Sequence, residues 1–118
     1  MALIEERSQD VAVLTIDQPE RRNALSSAVK QRLAEAMDRL EIDATVRAIV
    51  VTGAGGNFCS GGDLAEMGTP TLAEARERFI ESHRLVRAIV RSSKVVIAAV
   101  EGWAVGAGMS LALVCDSV

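Results

Sequence analysis

Apolar and polar positions alternate along this chain in a small number of distinct periods. Leu3-Ile4 and Val11-Ala12-Val13-Leu14-Thr15-Ile16 are short β-branched runs separated by the polar Ser8-Gln9-Asp10, the pattern of a β-hairpin. Asp17 to Ala24, with Pro19 and four charged residues, reads as a loop. From Ser27 to about Ile42 the period changes. Val29, Leu33, Ala36, Met37 and Leu40 recur at helical spacing, and Lys30, Arg32, Glu35 and Arg39 fill the rest of the wheel. Ser26 or Ser27 has the chemistry of its N-cap.

Arg47 to Thr52 is a continuous apolar run of strand length, as in a parallel sheet covered on both faces. A glycine-rich loop, Gly53 to Gly62, and a short stretch, Asp63 to Met67, follow it. Thr71-Leu72-Ala73-Glu74 is a capping box opening a second long helix. Its expected apolar face is Leu72, Ala75, Phe79, Val86 and Ile89 or Val90. Val95 to Val100 reads as another buried strand, and a second glycine cluster, Gly102 to Gly108, leads into a helical Met109 to Val114. The order is that of an α/β fold with parallel pairing. No internal repeat or linker interrupts it.

Composition narrows the classes further. The 118 residues are 49% hydrophobic, which is enough for the core of one ordinary domain. Net charge is -3 and aromatic content 3%, with no basic stripe, so nucleic acid is not an expected partner. The weakly polar stretch Gly102 to Cys115 is too short and too glycine-rich to span a bilayer. No basic-then-apolar leader opens the chain. Cys59 and Cys115 stand far apart without metal spacing, so reduced thiols and a cytoplasmic location are expected, with no metal. Burial accounts for Cys115; Cys59, in a glycine loop, is left open.

Twice an apolar strand is followed by glycines and then a helix. In open α/β sheets ligands gather at the carboxyl ends of strands, where helix N-termini offer unpaired N–H groups. Two such loops can aim two N–H donors at one oxygen, the requirement for an oxyanion hole. Rival readings fit less well. A dinucleotide fingerprint would need glycine at Phe58, a Walker loop needs G-K-[ST], and a G-x-S-x-G elbow around Ser60 also meets Phe58.

Asn23-Ala24-Leu25, Asn57-Phe58-Cys59-Ser60-Gly61-Gly62-Asp63-Leu64 and Val96-Ile97-Ala98-Ala99-Val100-Glu101-Gly102-Trp103-Ala104-Val105-Gly106-Ala107-Gly108 resemble the crotonase superfamily, the enoyl-CoA hydratases and isomerases. The resemblance runs over nearly all of the chain in order and spacing. It implies a crotonase-like spiral of β-β-α turns, of which residues 1–118 form the N-terminal part of a single acyl-CoA-binding domain. Family members are about twice this length. The chain is therefore expected to be incomplete, inactive alone, and held by a longer chain or by other copies.

The same resemblance implies a fatty acyl-CoA thioester as substrate, with coenzyme A as part of that substrate and no separate cofactor. It assigns the backbone N–H groups of Gly62 and Ala107 to the thioester oxygen. It places Arg22, Ala24, Gly62, Asp63, Leu64 and Ala107 along the substrate path, with Arg22 toward the CoA phosphates. It also implies a homotrimer or a hexamer of two trimers. One departure bears on the reaction: the family's first catalytic glutamate falls at Ser110, and a serine without a base beside it cannot replace a carboxylate. Ordinary hydration is disfavoured, isomerisation is left open, and a non-catalytic acyl-CoA binding protein of the same fold is the alternative. Val95 and Glu101 stand where proline and asparagine are common. His83 reads as a core or boundary residue, Glu66 as a solvated or capping one. Asp63 reads as a helix-start carboxylate and Asp116 as a turn residue.

Overall fold

The computed structural model describes residues 2–118. Strand β1 (Leu3–Ser8) turns at Gln9-Asp10 into β2 (Val11–Ile16), with Leu3 opposite Ile16 and Ser8 opposite Val11. Gln9 takes the tight corner at φ 58°. Strands β3 (Ala48–Gly53) and β4 (Val95–Ala98) continue the sheet in the order β1-β2-β3-β4, both in parallel pairing. The expected hairpin and parallel sheet are therefore both present, in a mixed α/β fold.

Helix α1 (Ser27–Glu41) crosses from β2 to β3. Ser26 is its N-cap: the hydroxyl accepts the Val29 N–H at 3.2 Å. The predicted stripe is the buried one, since Val29, Leu33, Ala36, Met37 and Leu40 all lie in the core with Ala34. They pack on Ala12, Leu14, Ile16, Ile49, Val51, Val96 and Ala98, the inward positions of three strands. The period of two is visible in the burial itself. Ile49 and Val51 are buried, whereas Ala48 and Val50 beside them are half-buried. In this chain β3 is thus closed on one face rather than both. β4 likewise ends at Ala98, with Val95 50% exposed, so Val95 to Val100 is not the fully buried strand its composition suggested.

Helix α3 (Leu72–Val90) departs most from its sequence reading. The Thr71 hydroxyl caps it by accepting the Glu74 N–H at 3.2 Å. Its buried residues, however, are Leu85 and Ile89, while Leu72, Phe79, Val86 and Val90 are exposed. The inward stripe runs through Ala75, Arg78, Ser82, Leu85 and Ile89: Ala75 and Ile89 of the expected face point inward, whereas Leu72, Phe79 and Val86 do not. On this rotation Leu85 and Ile89 join the core, and α3 lies along α1 with Glu81 meeting Ser27 and Lys30 and Arg84 meeting Asp38. His83 is exposed as a consequence, its ring tilted 34° to that of Phe79 at 6.5 Å.

Two further elements frame the glycine loops. Helix α2 (Leu64–Met67) is short and capped by Asp63, and α4 (Ala107–Val114) follows β4. Asp116 is more than a turn residue: its carboxylate accepts the Val96 N–H at 2.9 Å while its own N–H reaches the Val96 carbonyl at 2.8 Å. Among the described residues no helix is long and apolar enough to cross a membrane.

Candidate functional site

The loop after β3 is pinned from below by Phe58, which is completely buried. Beyond it the backbone zips to the loop after β4. Phe58 N–H reaches the Glu101 carbonyl at 2.9 Å, Cys59 N–H the Trp103 carbonyl at 2.9 Å, and Val105 N–H returns to the Cys59 carbonyl at 3.1 Å. Asn57 Oδ1 accepts the Trp103 N–H at 3.0 Å. On the other side Leu25 N–H takes the Gly61 carbonyl at 2.7 Å, and Ser60 N–H the Arg22 carbonyl at 3.1 Å. Residues 57–62 are therefore held between two strand-like neighbours.

Two glycines make that spacing possible. Gly61 sits at φ 102°, and a Cβ there would lie 2.9 Å from the Val105 carbonyl oxygen and 3.5 Å from the Ala107 nitrogen. A Cβ on Gly108 would come within 2.3 Å of the Cys59 carbonyl oxygen. Any larger residue at either position forces the loops apart. Glycine here brings the Ala107 end of α4 against the Gly61-Gly62 backbone.

The consequence is a pair of amides on one cavity. Gly62 and Ala107 both line a cavity of about 690 Å³. Ala107 is the first residue of α4, after Gly106 at φ 56° and ψ -125°. Among the described residues neither N–H has an acceptor within the chain. A helix start leaves such donors free and adds the positive end of its dipole. The remaining wall is mixed: Leu25, Pro70, Ala75 and Phe79 are apolar, and Ser27, Lys30, Glu66, Arg78 and Ser82 are polar.

Arg22, Ala24, Gly62, Asp63 and Leu64, the residues expected along a substrate path, line an adjoining cavity of about 570 Å³. Gly62, Asp63 and Gly106 line both, so the two spaces meet at the first amide. Arg22 is exposed and left-handed at φ 54°, and its guanidinium lies 4.7 Å from the centre of the Trp103 ring. Such stacking holds the side chain beside Trp103, and both residues line this cavity.

Other residues have structural work. The Asp63 carboxylate is buried, with one oxygen on the Ala65 N–H at 3.0 Å and the other on the Arg21 guanidinium at 2.8 Å. Glu66 Oε1 accepts the Ser27 N–H at 2.9 Å, so its expected capping role is met, although it caps α1 rather than its own helix. Ser110 is not among the residues lining either cavity. It is exposed, and its hydroxyl turns back toward the Gly106 carbonyl at 3.5 Å.

Asn23 is the positioning residue that the sequence reading left without a role. It is completely buried at φ 57°. Its Nδ2 donates to the Ala54 carbonyl at 2.8 Å and the Asn57 carbonyl at 2.7 Å, and its Oδ1 accepts the Gln18 N–H at 2.9 Å. It thereby fixes the loop after β3 to the turn before α1. Asparagine is the residue that combines tolerance of the left-handed region with two donors, and that was the available signal.

Both thiols are buried and free. Burial pushes the Cys59 thiol above its ordinary value, and burial followed by the nearby Asp116 pushes Cys115 up to about 11. Neither is a nucleophile at neutral pH. Among the described residues no group of three His, Cys, Asp or Glu is arranged to hold a metal ion. A further cavity of about 610 Å³ lies between α1 and α3, lined by His83, Arg84, Arg87 and Arg91, away from the glycine loops.

A four-strand mixed sheet with helices packed on it and glycine loops at the carboxyl ends of β3 and β4 define the class as α/β. The Enoyl-CoA hydratase/isomerase family description matches residues 6–118, and the chain belongs to that family. It is similar to the probable enoyl-CoA hydratase EchA14 of Mycobacterium tuberculosis, 42% identical over 106 residues, covering 90% of this chain and 41% of that protein. It is also similar to the 1,2-epoxyphenylacetyl-CoA isomerase of Escherichia coli, 40% identical over 114 residues, covering 92% and 43%. The crystal structure of an enoyl-CoA hydratase from Mycobacterium smegmatis superposes with a TM-score of 0.95 at 37% identity, covering 99% of this chain and 47% of that one. The crotonase fold is thereby established, and the chain spans less than half the length of each of these relatives.

Proposed function

We propose that this chain carries the thioester site of an acyl-CoA enzyme, in which the Gly62 and Ala107 amides hold the thioester oxygen. Two amides without acceptors on one cavity wall carry this reading. As a carbanion forms at C2 the oxygen gains negative charge, and fixed donors stabilise that enolate without reorganisation. The cavity of about 690 Å³ would receive the acyl group, and the adjoining one, with Arg22, Ala24 and Leu64, the pantetheine and phosphates of CoA.

Within the family, isomerisation is favoured over hydration. Hydration needs two acid/base groups, and Ser110 supplies neither charge nor reach at the first position. The relatives are named both as hydratases and, in Escherichia coli, as a 1,2-epoxyphenylacetyl-CoA isomerase, so the preference rests on Ser110 alone. The exposed Ser110 equally supports the second reading, an acyl-CoA binding protein of this fold without turnover. A trimer or a hexamer of trimers, and a cytoplasmic location, belong to the proposal.

Calorimetry on the protein carrying this chain tests it, comparing free CoA with hexanoyl-CoA. Tighter binding of the thioester, by tenfold or more, is expected. Equal dissociation constants overturn the reading, and catalytic conversion of an enoyl-CoA decides between enzyme and binding protein.

A further inference from the structure

The acyl cavity has a polar side that enolate stabilisation does not use. Lys30 follows Val29 on α1, at the edge of the core stripe, and α3 covers it so that its side chain is only 11% exposed. A charge at that depth needs partners. Its ammonium lies 3.5 Å from Glu81 Oε2 and 3.4 Å from the Ser82 hydroxyl. Both contacts are at the long end of the hydrogen-bond range. Glu81 is shared, since it also accepts from the Ser27 hydroxyl at 3.0 Å and from Gln31 Nε2 at 3.4 Å. Ser27, Lys30 and Ser82 line the cavity whereas Glu81 does not, so the carboxylate stands behind the ammonium and steadies it. An ammonium has three donors and no acceptor, and among the described residues only Ser82 and Glu81 stand within reach of the three.

We propose that Lys30 is a specificity-determining residue that donates to a neutral oxygen, a hydroxyl or carbonyl, carried on the acyl chain away from the thioester. This rests on the acyl-CoA reading and names the substrate class within it. A hydrocarbon tail filling the cavity would shut the spare N–H from solvent and offer it no acceptor. A site built around a polar contact rejects the analogue that lacks it. The oxygen is neutral because the surrounding charges already balance. Two cations, Lys30 and Arg78, and two anions, Asp63 and Glu66, line the cavity, and Glu81 behind Lys30 and Arg21 beside Asp63 add one charge of each sign, leaving no excess positive charge for a carboxylate.

The test is calorimetric, on the protein carrying this chain, with CoA, hexanoyl-CoA, the 4-, 5- and 6-hydroxyhexanoyl-CoA series and adipyl-CoA. In the wild type the best hydroxylated ligand is expected to bind at least tenfold more tightly than hexanoyl-CoA, and more tightly than adipyl-CoA. In Lys30→Met, which keeps length and removes the donors, that advantage is expected to fall below twofold. No wild-type preference for any hydroxylated ligand, or an undiminished preference in Lys30→Met, overturns the role of Lys30. Adipyl-CoA binding tightest overturns the neutral oxygen. If the variant does not fold, the wild-type ratios alone decide. Failure of hexanoyl-CoA to exceed free CoA marks the acyl-CoA reading itself as wrong, whereas tight hexanoyl-CoA binding without the hydroxyl preference removes only this proposal.

Discussion

Replacing Ala107 by proline isolates the second amide from everything else in the site. Ala107 is the first residue of α4, where proline is tolerated because its ring fits helical φ and no intrahelical bond is lost. The preceding Gly106, at φ 56° and ψ -125°, lies outside the α region that a following proline disfavours. Among the described residues the Ala107 N–H also has no acceptor, so its removal costs none of their hydrogen bonds. Folding stability is therefore expected to stay within about 1 kcal/mol of wild type. Chemistry is expected to suffer, since one donor to a developing oxyanion is worth roughly 3 kcal/mol, or 10²–10³-fold in kcat. The assay is turnover of an enoyl-CoA substrate by the protein carrying this chain, with thermal unfolding run alongside. Ala107→Gly is the control, because it removes the methyl group and keeps the N–H, and it should retain activity within a few-fold. A folded Ala107→Pro protein with kcat within threefold of wild type would refute the assignment. Equal losses in the glycine and proline variants would place the effect in the side chain instead.

Asn23→Ala removes three part-buried hydrogen bonds, two of which join the turn before α1 to the loop after β3. At about 1 kcal/mol each, a loss of roughly 3 kcal/mol is expected in denaturant unfolding, and a change under 1 kcal/mol would contradict the positioning role. Ser110→Glu restores a carboxylate one helical turn beyond Ala107. Hydration of crotonyl-CoA is expected to rise at least tenfold from a low wild-type rate, and an efficient wild-type hydratase would contradict the reading. The Thr45 hydroxyl first, and then the Arg7 guanidinium, hold the Asp43 carboxyl well below the ordinary carboxylate range. Its contribution is thus present above about pH 4 and lost as pH falls toward the lowered folded value. Thermal midpoints should fall more steeply from pH 5 to pH 2 in wild type than in Asp43→Asn, and parallel curves would contradict this.

What the sequence made legible is what periodicity and glycine placement encode. The α1 stripe and the hairpin follow from spacing, and the parallel strands from their short continuous apolar runs, although those runs overstated the cover on their second face. The two glycine loops were legible as a pair, since a Gly61 at positive φ and a Gly108 against Cys59 are backbone requirements that no side chain can meet. The rotation of α3 was not. Its apolar residues fall on two neighbouring stripes, and the inward one is told only by tertiary packing, in which Leu85 and Ile89 join the core and Glu81, Ser82 and Arg84 meet partners on α1 some fifty residues away in sequence. Asn23 stayed hidden for the same reason, its partners Ala54 and Asn57 lying more than thirty residues further along. Lys30 reads on the helical wheel as a solvated residue, and only the packing of α3 turns it toward a cavity.

The central claim is that two backbone amides grip one thioester oxygen, and vibrational spectroscopy addresses that bond itself. Difference infrared spectra of a thioester-carbonyl isotope-labelled acyl-CoA, free and bound to the protein carrying this chain, report the polarisation of the C=O group. The account predicts a lower stretching frequency on binding than in water, and a return most of the way toward the free value in Ala107→Pro. A bound carbonyl that vibrates as it does in water, or a shift that survives intact in Ala107→Pro, would contradict it.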